Sequence, residues 1–332
     1  MKKIFVTVAV FSLVLFQAAA QTPKVYVGGS KNNNYTATGD TACYWVNGNE
    51  YEIDGKSVDA ITVKDGKVYA AGVYRTYPVD VKHPFDSGLL KVYRYWIDGK
   101  PYELPDCVNV NSIFVDDKNN VYVIGSYEEK VIYMIRAYWL NGVRQKGPSD
   151  GSLRDVAVVN GTVYIAGFYT VAGKNWGEET NYACYWVNGV RNELPNSKNF
   201  IAHGIKVING RKYVAGVDYQ NRTACYWIDG KQYTFPVSGV SPNYANLAFA
   251  VSNGNIIMMD ENNYWVNGTR QNYKAENFLG ICFTYAQGRA YVAGWYNNMG
   301  GKICYWVDME RFNLFSPQSS GRLSVNAIYV PE

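Results

Sequence analysis

Few side chains in this 332-residue chain could perform acid–base chemistry, because the sequence contains only two histidines. His203 could accept and donate a proton if Asp59 or Asp155 lay beside it, since an imidazole paired with a carboxylate is a common arrangement in general acid–base catalysis. The alternative is that His203 only satisfies hydrogen bonds in the folded chain. The candidate catalytic residues are therefore His203, Asp59 and Asp155.

The second histidine, His83, has Asp80 and Asp86 close by in the sequence. Imidazole and carboxylate groups can hold a metal ion, but this spacing matches no recognised set of metal ligands, and a solvated loop accounts for it. No catalytic motif stands out elsewhere in the chain. We expect neither a metal nor a cofactor.

The elements that would hold these residues belong to a tandem repeat. Each unit reads as four strands, A to D: a short apolar strand, a Val-Tyr-x-x-Gly strand, a Tyr-Trp strand, and a last strand after an Asn-Gly or Asp-Gly pair, which is typical of tight hairpins. The repeat predicts an all-β fold, a seven-bladed β-propeller with four-stranded blades. The seven repeat tryptophans, 38 to 51 residues apart, are Trp45, Trp96, Trp139, Trp186, Trp227, Trp265 and Trp306.

The ends of the chain predict how the ring closes. The first strand is a B strand (25–29) and the last an A strand (326–330), so we expect the C-terminal strand to join the N-terminal blade and remove a free sheet edge. The repeat tryptophans are predicted to pack between blades, although seven exposed platforms for sugars are the alternative. Cysteines share the slot before Tyr-Trp in four blades, too far apart for disulfides, so we expect small buried thiols. They are Cys43, Cys184, Cys225 and Cys304.

The order of features resembles that of kelch-type propellers: a Tyr-Val-x-Gly strand, a Cys-Tyr strand, a turn and Glu-Leu-Pro. Only Gly28-Gly29 reproduces the kelch glycine pair, and the tryptophan precedes the turn instead of following it. The chain is more similar to secreted bacterial β-propeller proteins with Tyr-Trp-x-Asn-Gly repeats, over residues 22–332. That resemblance implies the fold and export, but no activity.

Residues 1–20 have the layout of a signal peptide: Lys2 and Lys3, an apolar run from 4 to 16, and three alanines before Gln21. We therefore expect one propeller domain over 21–332, exported to the periplasm or the extracellular space. No other segment approaches the roughly 20 apolar residues of a membrane span, and no cysteine near the cleavage point could carry a lipid anchor. Without the two signal lysines, 30 of the 32 basic residues remain against 28 acidic ones, without a basic run, which argues against a nucleic-acid partner.

One face of the predicted ring is more elaborate than the other. The B–C connections, which share a face with the D–A connections, are longest in blades 1 to 4, and long loops on a rigid scaffold often carry binding residues. Neutral variation of surface loops is the alternative. Aromatic residues in these loops, Tyr77, Trp176 and Tyr182, could stack on a sugar or a peptide. Trp176 is the sharpest of them, although a tryptophan folded onto its own blade would explain it equally.

The first residue of each A strand should lie at the channel mouth on that same face. This slot is polar in blades 1 to 5, which predicts a mouth with one polar side walled by the long loops. In blade order the slot holds Asn326, Asp59, Asn111, Arg154, His203, Leu247 and Ile281. We expect the first five, with the three loop aromatics, to bind the ligand.

Three functions are compatible with this layout, because propeller folds host all of them. The leading hypothesis is a non-enzymatic binding propeller whose ligand, a glycan or an envelope or extracellular protein, lies at the mouth and the loops of blades 1 to 4. The first alternative is a polysaccharide lyase or glycoside hydrolase using His203 and nearby carboxylates. The second is an envelope scaffold, which predicts an exposed apolar patch. We expect a monomer.

Overall fold

The computed structural model describes most of the chain after residue 22. The described residues are 23–32, 40–78, 89–128, 134–145, 147–148, 151–173, 178–218, 220–221, 223–234, 248–252, 254–259, 264–271, 278–296, 302–308, 310–314 and 322–331. The proposed signal peptide and Trp176 lie outside them, as do His83 and Leu247. No helix in these ranges is long and apolar enough to cross a membrane.

Seven antiparallel sheets of four strands each make up the described part of the chain, which confirms the seven-bladed propeller. Blade 1 contains β28 (Arg322–Tyr329), β1 (Tyr26–Asn32), β2 (Asp40–Val46) and β3 (Asn49–Glu52). Blade 2 contains β4 (Ala60–Lys64), β5 (Lys67–Pro78), β6 (Leu89–Ile97) and β7 (Lys100–Glu103). Blade 3 contains β8 (Cys107–Val115), β9 (Val121–Glu128), β10 (Met134–Leu140) and β11 (Val143–Gln145).

The other four blades repeat this order from strand A to strand D. Blade 4 contains β12 (Ser152–Val159), β13 (Thr162–Ala172), β14 (Glu179–Val187) and β15 (Val190–Lys198). Blade 5 contains β16 (Phe200–Ile208), β17 (Arg211–Asp218), β18 (Thr223–Ile228) and β19 (Lys231–Thr234). Blade 6 contains β20 (Ala248–Ser252), β21 (Asn255–Met259), β22 (Tyr264–Val266) and β23 (Thr269–Gln271). Blade 7 contains β24 (Phe278–Ala286), β25 (Arg289–Tyr296), β26 (Lys302–Val307) and β27 (Glu310–Asn313).

The B–C connections of blades 2 and 4 differ from the long loops predicted from the sequence. In blade 2, β5 continues to Pro78 and pairs with β6 from Leu89; in blade 4, β13 and β14 stay paired as far as Ala172 and Glu179. The added segments are rich in aromatic and β-branched residues, which pair well across strands. Tyr77 and Tyr182 are therefore strand residues on projecting hairpins.

The turn between strands C and D explains why every repeat ends in Asn or Asp. In all seven blades the first turn residue has a φ of 44° to 50°, a conformation that Asn and Asp tolerate better than other side chains. Its side-chain oxygen accepts a hydrogen bond of 2.8–3.0 Å from a backbone N–H at the start of strand B in the same blade, within one residue of the first strand position. Asn141 and Val121 form this contact in blade 3. The Asn or Asp residue therefore forms the turn and also satisfies a backbone N–H at the start of strand B.

The repeat tryptophans pack in the core, as predicted, and none is more than 5% exposed. Within the described residues, an indole N–H donates to a carbonyl of the preceding blade from Trp96 to Asp54, from Trp139 to Pro105 and from Trp227 to Pro195, at 2.9–3.1 Å. The tryptophan thus connects one blade to the next as well as filling space. The four cysteines of the neighbouring slot are buried free thiols, which confirms their predicted place in the core.

Strand β28 closes the ring by pairing with β1 from Tyr26↔Tyr329 to Asn32↔Arg322. Val325, Ile328 and Val330 are buried in one cluster with Trp45 of the same blade. The Ser30 and Ser324 hydroxyls lie 2.8 Å apart across the junction. The C-terminal strand therefore completes blade 1, as the sequence predicted.

Candidate functional site

The A strands of the seven blades surround a central channel of about 1350 Å³. A shared β-bulge sets the residues at one mouth of this channel. In blades 1, 3, 4, 5 and 7 strand A carries one extra residue beside the glycine of strand B, and a bulge of this kind redirects a side chain. The extra residues are Asn326, Asn111, Arg154, His203 and Ile281. The residues that the repeat places in one slot therefore occupy equivalent structural positions in these five blades.

The strand B glycine is required because strand A approaches it closely. A Cβ added at Gly29, Gly125 or Gly167 would lie 1.9 Å from a strand A carbonyl oxygen. In blade 2 the carbonyl oxygen of Ser57 would lie 2.2 Å from a Cβ at Gly72, which places Asp59 in the equivalent mouth position. The glycine of Val-Tyr-x-x-Gly therefore allows the close approach of strand A that positions the residues of the mouth.

Asn326 and Asn111 connect neighbouring blades across the mouth. The Asn326 amide donates to the Val58 carbonyl at 3.1 Å and to the Asp59 carboxylate at 3.2 Å, which ties blade 1 to blade 2. The Asn111 amide donates to the Leu153 carbonyl at 3.0 Å, which ties blade 3 to blade 4. Both predicted ligand-binding asparagines thus have a structural role in the ring.

Asp59 lies on the blade 2 side of the mouth, where Ser57 also donates to it at 2.9 Å. Burial raises the pKa of its carboxyl group, even though the hydrogen bonds from Ser57 and Asn326 and the nearby Lys91 charge act in the other direction. Blade 2 stands three positions from blade 5 in a ring of seven, so Asp59 and His203 face each other across the channel. The structure does not bring this predicted pair into contact.

Asp155 lies next to Arg154 in strand β12 and is engaged by both neighbouring blades. Its carboxylate accepts hydrogen bonds from the Ser112 hydroxyl at 3.2 Å and from the Ile205 backbone N–H at 3.1 Å, and the Lys206 ammonium is 3.8 Å away. These contacts connect blades 3, 4 and 5. The Asp155 carboxylate therefore interacts with Ser112, Ile205 and Lys206.

His203 is partly buried in the wall of the channel on blade 5. Burial, followed by the positive charge of Arg154, lowers the pKa of its imidazole from 6.5 to about 3. A carboxylate in contact would raise this pKa, so the electrostatic neighbour that matters is a cation. The imidazole is neutral at neutral pH and is a weak proton acceptor there.

Two arginines, Arg136 and Arg154, belong to the neighbouring blades 3 and 4, and the charge of one acts on the other. Arg136, on β10, donates to the Ser126 hydroxyl at 3.3 Å, and burial together with the charge of Arg154 lowers the pKa of its guanidinium. The guanidinium carbon of Arg154 lies 5.7 Å from the centre of the Phe168 ring. The Arg154 Nε and the Asn109 Oδ1 are buried and have no hydrogen-bond partner. Arg154 lines the channel, and the region between the two blades that contains both arginines, called the arginine pocket below, has two buried polar atoms without a hydrogen-bond partner.

The predicted aromatic candidates differ in their availability. Tyr77 is 50% exposed on the projecting hairpin of blade 2. Tyr182 is stacked on Tyr169 with ring centres 5.3 Å apart, and Arg191 covers the Tyr169 ring at 4.0 Å. Trp176 lies outside the described residues. Of the two described candidates, Tyr77 is the aromatic side chain that a ligand could reach directly.

Sequence reasoning missed Arg136, Ser126 and Asn109, which belong to the three inner strands of blade 3 and lie side by side in register. A sequence feature marks Arg136: its slot, two residues before the Tyr of Tyr-Trp, holds an uncharged residue in the other blades compared. These are Ala42, Tyr93, Ala183, Ala224 and Ile303. A charged residue in a slot that is otherwise uncharged could have indicated that Arg136 has a function. Among the described residues, no group of three or more His, Cys, Asp or Glu side chains could hold a metal ion.

Solved structures similar to this chain are β-propellers. An uncomplexed Pyrococcus horikoshii acylaminoacyl peptidase is 15% identical, with a TM-score of 0.51 over 88% of this chain and 50% of that one. The propeller domain of the Trilobed protease from Pyrococcus furiosus is 11% identical, with a TM-score of 0.53 over 88% of this chain and 92% of that domain. A putative 6-phosphogluconolactonase from Bacteroides fragilis is 10% identical, with a TM-score of 0.50 over 95% and 99% of the two chains.

These similarities establish the fold class alone, because identity is low throughout. The chain spans about half the length of the acylaminoacyl peptidase structures it matches. No protein-family model matches the sequence, and no curated protein matches it either. The protein is therefore described by its class, a seven-bladed β-propeller, and its function has to be inferred from the mouth of the channel.

Proposed function

We propose that the protein is an exported, non-enzymatic binding propeller that holds a glycan at the polar mouth of its channel, between the B–C hairpins of blades 1 to 4. The main support is the state of His203. It is neutral, it lies beside a guanidinium, and Asp59 and Asp155 accept hydrogen bonds from Ser57 and Ser112. A mouth that presents amides, carboxylates and a neutral imidazole suits binding better than proton transfer.

A glycan is favoured over a peptide by the mixture of groups around the mouth. Sugars present many hydroxyls and one weakly apolar face, which suits amides and carboxylates beside an accessible aromatic ring. Asn326, Asp59 and Asn111 supply the polar groups, and Tyr77 supplies the ring. An extracellular protein partner is the alternative ligand.

A scaffold function is a second candidate, and one observation favours it. Val143 and Val190, each the first strand D residue after the C–D turn of blades 3 and 4, are exposed on the opposite face. Neighbouring apolar side chains at equivalent positions could contact a larger assembly. The first proposal places the ligand at the mouth, so variants on the two faces separate the two functions.

The proposal is tested by equilibrium binding of residues 21–332 to neutral, uronate-containing and sulfated oligosaccharides. We expect saturable binding to one class, weakened about tenfold by Tyr77→Ala or His203→Gln, since loss of a stacking or polar contact is worth about 1.4 kcal/mol. Tyr51→Ala is the matched control, because Tyr51 is 48% exposed and lies on strand D away from the mouth. We expect no new reducing ends during incubation. Cleavage of a saccharide chain would favour the lyase or hydrolase alternative. Absence of binding to every saccharide would favour a protein partner.

A further inference from the structure

We infer that the ligand carries an oxyanion, a carboxylate or a sulfate on an acidic saccharide, and that Arg136 and Arg154 bind it where blade 3 faces blade 4 at the channel mouth. This inference rests on the proposed function and names the chemistry of its ligand. The two arginines come from different blades and different strand types, so no local sequence pattern pairs them.

The first support is the arrangement of hydrogen-bonding groups. Asn109, Ser126 and Arg136 occupy paired positions on the A, B and C strands of blade 3, and paired residues present their side chains on the same face of a sheet. Arg154 is the extra residue of the bulge in β12 on the neighbouring blade, and it lines the channel. The Arg154 Nε is buried without a partner. Buried polar atoms are rarely left unsatisfied in folded proteins, so an orphaned guanidinium N–H at a channel mouth points to an external acceptor.

The second support is the balance of charge. Each ion pair found in the described residues involves other cations, and neither Arg136 nor Arg154 forms one. The positive charge of Arg154 acts on Arg136, and an oxyanion bound by both guanidinium groups would offset this repulsion. Burial, followed by the charge of Arg154, keeps His203 neutral, so this histidine adds no further positive charge.

The third support is that both guanidiniums are oriented before any ligand arrives. Ser126, which is fully buried, accepts a hydrogen bond from Arg136, and the Phe168 ring lies against Arg154. A guanidinium held in place can present two parallel N–H groups to a carboxylate or a sulfate with little loss of side-chain freedom. The pocket therefore has the features of an anion site.

The test uses residues 21–332 with three saccharide probes: oligogalacturonate, its methyl ester, and a sulfated galactan oligosaccharide. The methyl ester keeps the sugar backbone and removes the charge, and the third probe separates sulfate from carboxylate. We expect the acid or the sulfate form to bind at least tenfold more tightly than the ester, and added NaCl to weaken this preference. Arg154→Gln and Arg136→Gln should each reduce binding of the charged form about tenfold to a hundredfold without affecting the ester.

Arg144→Gln is the matched control, because Arg144 loses the same charge on blade 3 but lies on strand D in an ion pair with Asp106. Its affinity for every probe should equal that of the wild type. Arg154→Lys keeps the charge and loses the planar fork, so its affinity should lie between those of the wild type and Arg154→Gln. Thermal unfolding without ligand should show Arg154→Gln to be at least as stable as the wild type. A large loss of stability would mean that the guanidinium has a structural partner, and would overturn the inference.

Two outcomes separate this inference from the proposed function. Equal binding of the acid and its ester, unchanged by Arg154→Gln, would leave the glycan function standing and overturn the anion site. If no saccharide binds, inorganic sulfate still tests the pocket through the melting temperature at fixed ionic strength. Sulfate stabilisation that Arg154→Gln loses and Arg144→Gln keeps would support the anion site while the glycan function fails. Equal stabilisation of all three proteins would overturn the anion site as well.

Discussion

Removal of the strand that closes the ring is the most informative perturbation of the fold. Deleting Leu323–Glu332 removes most of β28, leaves β1 without its partner and exposes the space now filled by Val325, Ile328 and Val330. Burial of one such aliphatic side chain is worth roughly 1.5 to 3 kcal/mol, so the three together contribute about 5 kcal/mol or more. Domains are commonly stable by only about 5 to 15 kcal/mol. The shortened protein should therefore be close to unfolding at room temperature.

Urea unfolding followed by tryptophan fluorescence measures this loss, since Trp45 lies in the same cluster as the closing strand. If the shortened protein does not fold, the point variant Ile328→Ala supplies the measurement and should cost about 2 kcal/mol or more. Ile208→Ala is its control, because Ile208 is an exposed isoleucine at the end of the blade 5 A strand and should change stability by no more than about 0.5 kcal/mol. An unfolding midpoint that the deletion does not move would refute closure by β28.

Four further outcomes are expected. Asn141→Ala should lower the unfolding free energy by about 2 kcal/mol in urea melts, because it removes the acceptor of a buried strand B N–H in a turn with positive φ; a neutral result would contradict the role of the C–D turn. Gly125→Ala should cost about 3 kcal/mol or more by the same assay, since its Cβ meets a carbonyl oxygen, and a melting temperature like that of the wild type would show that strand A can move away. The pKa of His203 is lower in the folded state than the unfolded value of 6.5, so its contribution is present above pH 6.5 and is lost as the pH falls towards about 3. Wild type should therefore lose about 2 kcal/mol more than His203→Gln between pH 6.5 and about pH 5, and parallel pH profiles would contradict a buried neutral imidazole. Mass spectrometry of the exported protein should find Gln21 at its N-terminus, whereas an intact Ala20-Gln21 bond would contradict the signal peptide.

Much of the architecture could be predicted from the sequence because each blade repeats the same local information. The Asn-Gly and Asp-Gly pairs mark the hairpins, the tryptophan marks the packing between blades, and the terminal strands indicate how the ring closes. The boundaries of the projecting hairpins in blades 2 and 4 could not be predicted. Residues such as Tyr77 and Tyr182 pair across strands only when the opposite strand continues, and this depends on a partner, Leu90 or Tyr169, that is more than ten residues away in both blades.

The site could be predicted in part. The slot that contains Asp59, Arg154 and His203 was found from the alignment of repeats, because one bulge recurs in equivalent blades. The partners of these residues could not be found in this way. Asp59 accepts hydrogen bonds from Ser57 and Asn326, and Asp155 accepts them from blades 3 and 5. Such hydrogen bonds between blades depend on how neighbouring A strands are offset, which the sequence of one repeat does not specify.

The sequence by itself determined the number of blades, their strand order and the residues of the mouth slot, since these follow from turn chemistry and from periodic burial within one repeat. Only the tertiary structure decided which charges meet. Arg136 and Arg154 belong to strand C of one blade and strand A of the next, and no local pattern relates them. Their electrostatic interaction results from packing two sheets face to face beside a β-bulge, which is a property of the closed ring.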